Sequence, residues 1–207
     1  MKITVLGGGN GCYAAAADLS EAGHEVTFWR RNSEAFKPIL ETKAIDLEDF
    51  QGIRTVVIKS ATTNLAKAVA GAECIIIPLP ATAQGDLAKK LAPLLENGQV
   101  VYLSPGTFGT YLFAKEMKAC RNISEVAFAE TGTLPYLARK HTKNQVTISV
   151  RATRLPTGVY PAQMTELALE KLRKVYPSIE SLQDVLDGAF CLVASFIPAC
   201  KMVESDV

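Results

Sequence analysis

The chain has 207 residues, 48% of them hydrophobic and 21% charged, with a formal net charge of +1. That length can bury the core of one generous domain, and that composition excludes wholesale disorder. The near-neutral charge argues against a nucleic-acid surface or a polybasic membrane patch, so a small molecule held in a local pocket is the expected ligand. The five cysteines, Cys12, Cys74, Cys120, Cys191 and Cys200, form no CxxC pair. An odd, scattered set suits a reducing cytoplasm rather than a disulfide framework. A strand starts at Lys2 with no signal peptide ahead of it, so a cytoplasmic location is expected.

In chain order, Lys2–Leu6 is a β-rich run, followed by glycines and the alanine-rich helix Tyr13–Glu21, which Ala22-Gly23-His24 ends. Glu25–Arg30 returns to β character, and a polar helix start follows at Asn32 or Ser33. Short β segments are expected near Ala44–Leu47 and Thr55–Ile58, then a helix over Asn64–Ala70. Glu73–Ile77 is a continuous apolar run. The rhythm repeats as helix Thr82–Leu95, strand Gln99–Leu103, helix Thr110–Ala119 and strand Glu125–Ala129. Continuous apolar strands between helices predict a parallel sheet covered on both faces, a doubly wound Rossmann-type α/β fold. Beyond Glu130 the pattern changes: Tyr136–His141 and Gln145–Val150 read as an antiparallel pair across a polar turn at Thr142–Asn144. Helices are expected over Pro161–Val175 and from Ser181 onward. The domain division that follows is 1–180 for a nucleotide-binding domain and 181–207 for the start of something helical.

Gly7-Gly8-Gly9-Asn10-Gly11-Cys12 lies between the first strand and the first helix. Read as G-x-G-x-x-G/A, Gly7 makes the tight turn and Gly9 lets backbone approach a diphosphate. Cys12 takes the third, helix-packing place, a small residue where glycine or alanine is usual. Unpaired N–H groups at a helix N-terminus and the helix dipole favour an anion there. The second strand ends in Phe28-Trp29-Arg30-Arg31-Asn32, where an NAD-binding chain usually places an acidic residue for the ribose hydroxyls. An arginine at that place can clamp a 2′-phosphate and stack on adenine, so NADP is expected over NAD. The same pair also reads as a solvated strand end, and Trp29 as core.

Together with the glycine turn, Leu79-Pro80-Ala81, Ser104-Pro105-Gly106 and Glu130-Thr131-Gly132-Thr133-Leu134-Pro135-Tyr136 stand in an order that resembles the opine (octopine/nopaline) dehydrogenases, and more distantly the ketopantoate reductases. The resemblance runs over essentially the whole chain. It implies a Rossmann domain followed by a helical domain, and an activity that reduces the imine of an amino acid and a 2-oxo acid with a nicotinamide cofactor. It also implies that Leu79, Pro80 and Ala81 line the cofactor cleft and that Pro105 and Gly106 lie near the nicotinamide. Thr131, Thr133 and Tyr136 would face substrate, although they read equally well as loop and hairpin residues.

The family resemblance further implies a catalytic histidine, followed by proline, on the first long helix of the helical domain. The corresponding stretch, Leu192–Ala199, carries none, and the only two histidines are His24 and His141. No catalytic residue is therefore assigned, and no metal-ligand spacing occurs. The nearly all-apolar run Ala189–Cys200 is too short to span a bilayer and would expose a large patch in a monomer, so a homodimer through it, or its docking on another chain, is expected. Three readings stay open: an NADP(H)-dependent opine dehydrogenase-like oxidoreductase, a non-catalytic NADP(H)-binding or regulatory module, and a truncated copy of a longer dehydrogenase.

Overall fold

A computed structural model describes residues 1–190. Its elements are β1 (Lys2–Leu6), α1 (Asn10–Glu21), β2 (Glu25–Trp29), α2 (Lys37–Thr42), β3 (Ala44–Asp49), β4 (Gly52–Val57), β5 (Ser60–Thr62), α3 (Leu65–Val69), β6 (Cys74–Ile77) and α4 (Ala81–Leu91). There follow β7 (Val100–Leu103), α5 (Gly109–Ala119), β8 (Ala127–Thr131), β9 (Tyr136–Lys140), β10 (Gln145–Arg151), β11 (Leu155–Tyr160), α6 (Thr165–Val175), β12 (Ile179–Ser181) and α7 (Val185–Phe190).

Eight strands form one sheet in the order β12-β11-β8-β7-β6-β1-β2-β5. Every neighbouring pair is parallel except β11 against β8. From β5 to β8 the order is that of a dinucleotide-binding sheet, in which the chain winds outward from β1 in both directions. The central strands β6 and β7 are buried along their whole length, which explains their unbroken apolar sequence. The register sets Leu6 beside Trp29, Ile77 beside Leu103, and Leu103 beside Glu130. The loops that follow β1, β2, β6, β7 and β8 therefore emerge along one edge.

The sequence does not announce a second sheet, of four strands in the order β4-β3-β10-β9. The hairpin β9–β10 is the expected antiparallel pair. What joins it to the other hairpin, β3–β4, is a short parallel ladder from Asp46↔Gln145 to Glu48↔Thr147. This sheet packs on the outer side of α1, whose inner side lies on the large sheet. With sheets on both sides, α1 needs small side chains all round, and Ala14, Ala15, Ala16 and Ala17 are each at most 1% exposed. Asp18, a polar residue in that run, accepts from Tyr136 Oη (2.9 Å) and from Arg151 Nε (2.8 Å). Arg151 also reaches Asp49 (2.7 Å), and Arg54 joins Asp49 to Glu21, so the network stitches α1 to the second sheet. The Arg54 guanidinium beside Asp49 holds that carboxyl well below the usual carboxylate range.

Three strands escape the sequence reading. β5 and β12 have only three residues each, and β11 contains Pro156 and Gly158. Gly158 is required by packing: a Cβ there would meet Val185 Cα at 2.6 Å, where α7 begins. Since β12 spans Ile179–Ser181, the expected boundary at 180 falls inside the last strand of the sheet. Beyond Phe190, the apolar run expected to be a dimerising helix lies outside the described residues, as does the stretch 192–199. Among the described residues no helix is long and apolar enough to cross a membrane.

Candidate nucleotide site

The turn between β1 and α1 is shaped by three different demands on its glycines. Gly7 has φ +130°, donates its N–H to Trp29 O (2.9 Å), and has Cys12 Sγ and Leu79 Cδ2 each 2.6 Å from where a Cβ would stand. Gly8 lies directly under the Arg30 side chain, with Arg30 Cδ 2.7 Å from an added Cβ. Gly9 caps α1 with extended backbone and has nothing within 4 Å of a notional Cβ. Gly11 faces Pro78, whose Cβ would stand 3.2 Å away. The open space beside Gly9 is where a ligand can meet the free N–H groups of α1.

Cys12 is fully buried, its thiol directed at Leu6 O (3.7 Å) and Pro78 O (3.6 Å). Burial pushes that thiol up to about 12, which makes it a poor nucleophile, and its place is in the packing between helix and sheet. Trp29 is 8% exposed and donates Nε1–H to Thr63 O (3.0 Å). It forms the floor of a cleft of about 460 Å³. Gly7, Gly8, Arg30, Arg31, Asn32 and Leu79 line the same cleft. Arg30 donates through Nη1 to Ala35 O (2.9 Å) and to Tyr13 Oη (3.4 Å), which fixes its guanidinium over the turn. Asn32 accepts from Ala35 N–H (3.0 Å), and Arg31 and Asn32 are exposed.

The far wall of the cleft is α4, through Thr82, Ala83, Asp86, Leu87 and Lys90. These were not singled out in the sequence, yet they fall at i, i+1, i+4, i+5 and i+8, one helical face starting just past Pro80. Pro80 and Ala81 begin this helix and are exposed. Asn10 is exposed and accepts, through Oδ1, the backbone N–H of Lys140 (3.1 Å).

Pro105 and Gly106 belong to a second loop, after β7, stapled to the first wall by Gln84. This fully buried side chain donates Nε2–H to Leu79 O (3.2 Å) and Pro105 O (3.0 Å). Gly106 packs against Glu130, which is fully buried and accepts from Thr110 N–H (2.9 Å) and Phe108 N–H (3.3 Å) at the start of α5. Burial raises the Glu130 carboxyl above its ordinary value, against the opposing pull of those N–H groups. Thr131 and Thr133 are buried, and Tyr136 is committed to Asp18. The structure thus gathers the glycine turn, Arg30, Arg31, Asn32 and Leu79 at one cleft and leaves Thr131, Thr133 and Tyr136 packed in the protein. His24 sits by the N-terminal amine, with Nδ1 at 3.5 Å, and His141 bonds Thr147 (2.9 Å) on the exposed hairpin. Neither lines the cleft.

The family model described as the N-terminus of NAD-dependent glycerol-3-phosphate dehydrogenase matches residues 2–138. Opine dehydrogenase of Arthrobacter sp. (strain 1C) is 29% identical over 182 residues, covering 88% of this chain and 51% of that protein. Among solved structures, octopine dehydrogenase with NADH and pyruvate superposes with a TM-score of 0.72 at 17% identity, over 91% of this chain and 51% of that one. Yersinopine dehydrogenase with NADP+ bound gives a TM-score of 0.64 at 17% identity, over 91% and 49%. The chain therefore spans about half the length of these relatives.

Proposed function

Because this chain belongs to the family of the NAD-dependent glycerol-3-phosphate dehydrogenase N-terminus and is a homologue of opine dehydrogenase, we propose that its cleft holds NADP(H) for an opine dehydrogenase-like imine reduction. The observation that carries the reading is one cleft joining the glycine turn to Arg30 and Arg31, with open space beside Gly9. The residues fit the group. Backbone N–H groups of α1 would receive the diphosphate, Arg30 the 2′-phosphate, and the Thr82–Lys90 face of α4 would close over the adenosine. The bound nicotinamide supplies a hydride; Pro105 and Gly106, at the carboxyl end of β7, lie on the side of the sheet edge toward which such a cofactor extends.

Trp29, the only tryptophan, floors the cleft and is a built-in reporter. Exciting it while titrating NADPH and NADH should show energy transfer to the nicotinamide, with NADPH the tighter ligand. Adding pyruvate with a panel of amino acids and following NADPH oxidation tests the reduction itself. Binding of neither nucleotide would sink the reading, and binding without oxidation would reduce it to the nucleotide-holding half.

A further inference from the structure

Tyr13, four residues into the glycine turn's helix, is fully buried, with its ring edge-on to Phe28 at 5.0 Å. Two cations cover it. Arg30, from the end of β2, donates to the Tyr13 hydroxyl (3.4 Å). Lys140, from the end of β9 in the second sheet, holds its ammonium 4.0 Å from the centre of the same ring. Lys140 is tied to the turn by its own backbone, which donates to Asn10 Oδ1 (3.1 Å). Among the described residues neither Arg30 nor Lys140 forms an ion pair with a carboxylate. Both stand beside the positive end of α1. Burial first, and then the charge of Arg30, make Lys140 release its proton more readily than a free lysine. Two cations on one tyrosine at a helix N-terminus, without a paired carboxylate among the described residues, form a site that is electrostatically incomplete.

We propose that Lys140 is a specificity-determining residue which, with Arg30, clamps the phosphate monoester on the adenosine ribose of NADP(H). The inference rests on the reading that the cleft holds a nicotinamide dinucleotide. The monoester suits this place better than the diphosphate does. A diphosphate is served by the backbone N–H groups around Gly9 and needs no side chain, whereas a monoester carries close to two charges and needs two cations. Arg30 lies over Gly8 at the end of β2, the place where a Rossmann chain handles the ribose hydroxyls. Tyr13 is the platform the two cations share: Arg30 meets its hydroxyl at the cleft lining, and Lys140 meets its ring from beside that lining.

The test compares the unsubstituted chain, Lys140→Gln and Lys140→Arg for binding of NADPH and NADH by Trp29 fluorescence. Adenosine 2′,5′-bisphosphate and 5′-AMP serve as competing fragments. Lys140→Gln is expected to weaken NADPH and the bisphosphate about tenfold, the loss of one charge-assisted contact, and to leave NADH and AMP within about twofold. Lys140→Arg should recover most of the loss. Equal weakening of NADPH and NADH, or no change in either, would overturn the proposal while leaving the cofactor reading intact, provided the unsubstituted chain prefers NADPH. An unsubstituted chain that binds both nucleotides equally, or neither, overturns the cofactor preference or the cofactor reading itself, and the lysine's role with it.

Discussion

Two glycine-bearing turns leave the same edge of the large sheet, one after β1 and one after β7, and they differ in whether a glycine is left open. At the first, Gly7, Gly8 and Gly11 are packed against Cys12, Leu79, Arg30 and Pro78, but Gly9 opens onto empty space and the neighbouring cations face a cleft. At the second, the missing side chains of Gly106 and Gly109 are filled by Glu130, Gln84 and Leu103 of the same protein. One glycine of the first turn is therefore left open, whereas both glycines of the second are spent on internal packing.

Gly106→Ala should produce the largest effect of any change in this comparison, since its Cβ would fall on the stem of a fully buried glutamate. Overpacking of that kind costs about 3 kcal/mol, read as a lower urea midpoint at unchanged slope; an unchanged midpoint would mean that the second turn has room and that the contrast is false. Next in size comes Gly9→Ala, which meets no atom within 4 Å and keeps an ordinary φ of −84°. Its stability should stay within about 0.5 kcal/mol while NADPH binding weakens at least about tenfold as the methyl enters the diphosphate space. Unaltered affinity would show that the open side of the first turn is not where the nucleotide sits.

A smaller effect concerns Glu130. Its carboxyl is raised by burial, so the folded chain keeps that proton to a higher pH than the unfolded chain does. The contribution to stability is fully present below the ordinary value near 4.5 and is lost as pH rises through the raised value. Subtracting Glu130→Gln from the unsubstituted chain, by denaturation midpoints between about pH 4 and pH 8, should expose that decline; a flat or rising difference would contradict it. The smallest effect is chemical. Cys12, buried beneath the first turn and pushed up to about 12, and Cys74, pushed up likewise, should resist alkylation at neutral pH, whereas the exposed Cys120 should label. Peptide mapping that finds Cys12 modified in the folded chain would show the base of the turn to be open.

Much of the cleft was legible because its signals are local. The glycine spacing and the Arg30-Arg31 pair at the end of β2 each sit within a few residues of the strand that positions them. The α4 face was missed because Thr82, Asp86 and Lys90 are ordinary helix-surface residues until a cleft forms in front of them. The approach of Lys140 to the turn is hidden for the same reason at longer range: it lies 130 residues beyond Asn10, and the hydrogen bond that joins them exists only once β9 is laid on α1.

The sequence by itself determined the alternation of strands and helices, the parallel sheet with its dinucleotide turn, and the resemblance to opine dehydrogenases. These follow from hydrophobic periodicity and from backbone demands that a few adjacent residues satisfy. Only the tertiary structure decided that β3–β4 and β9–β10 become one sheet, that α1 is alanine-rich because two sheets grip it, and that Tyr136 belongs to Asp18. Strand pairing across about a hundred residues depends on which apolar faces are buried together, and no local pattern records that choice.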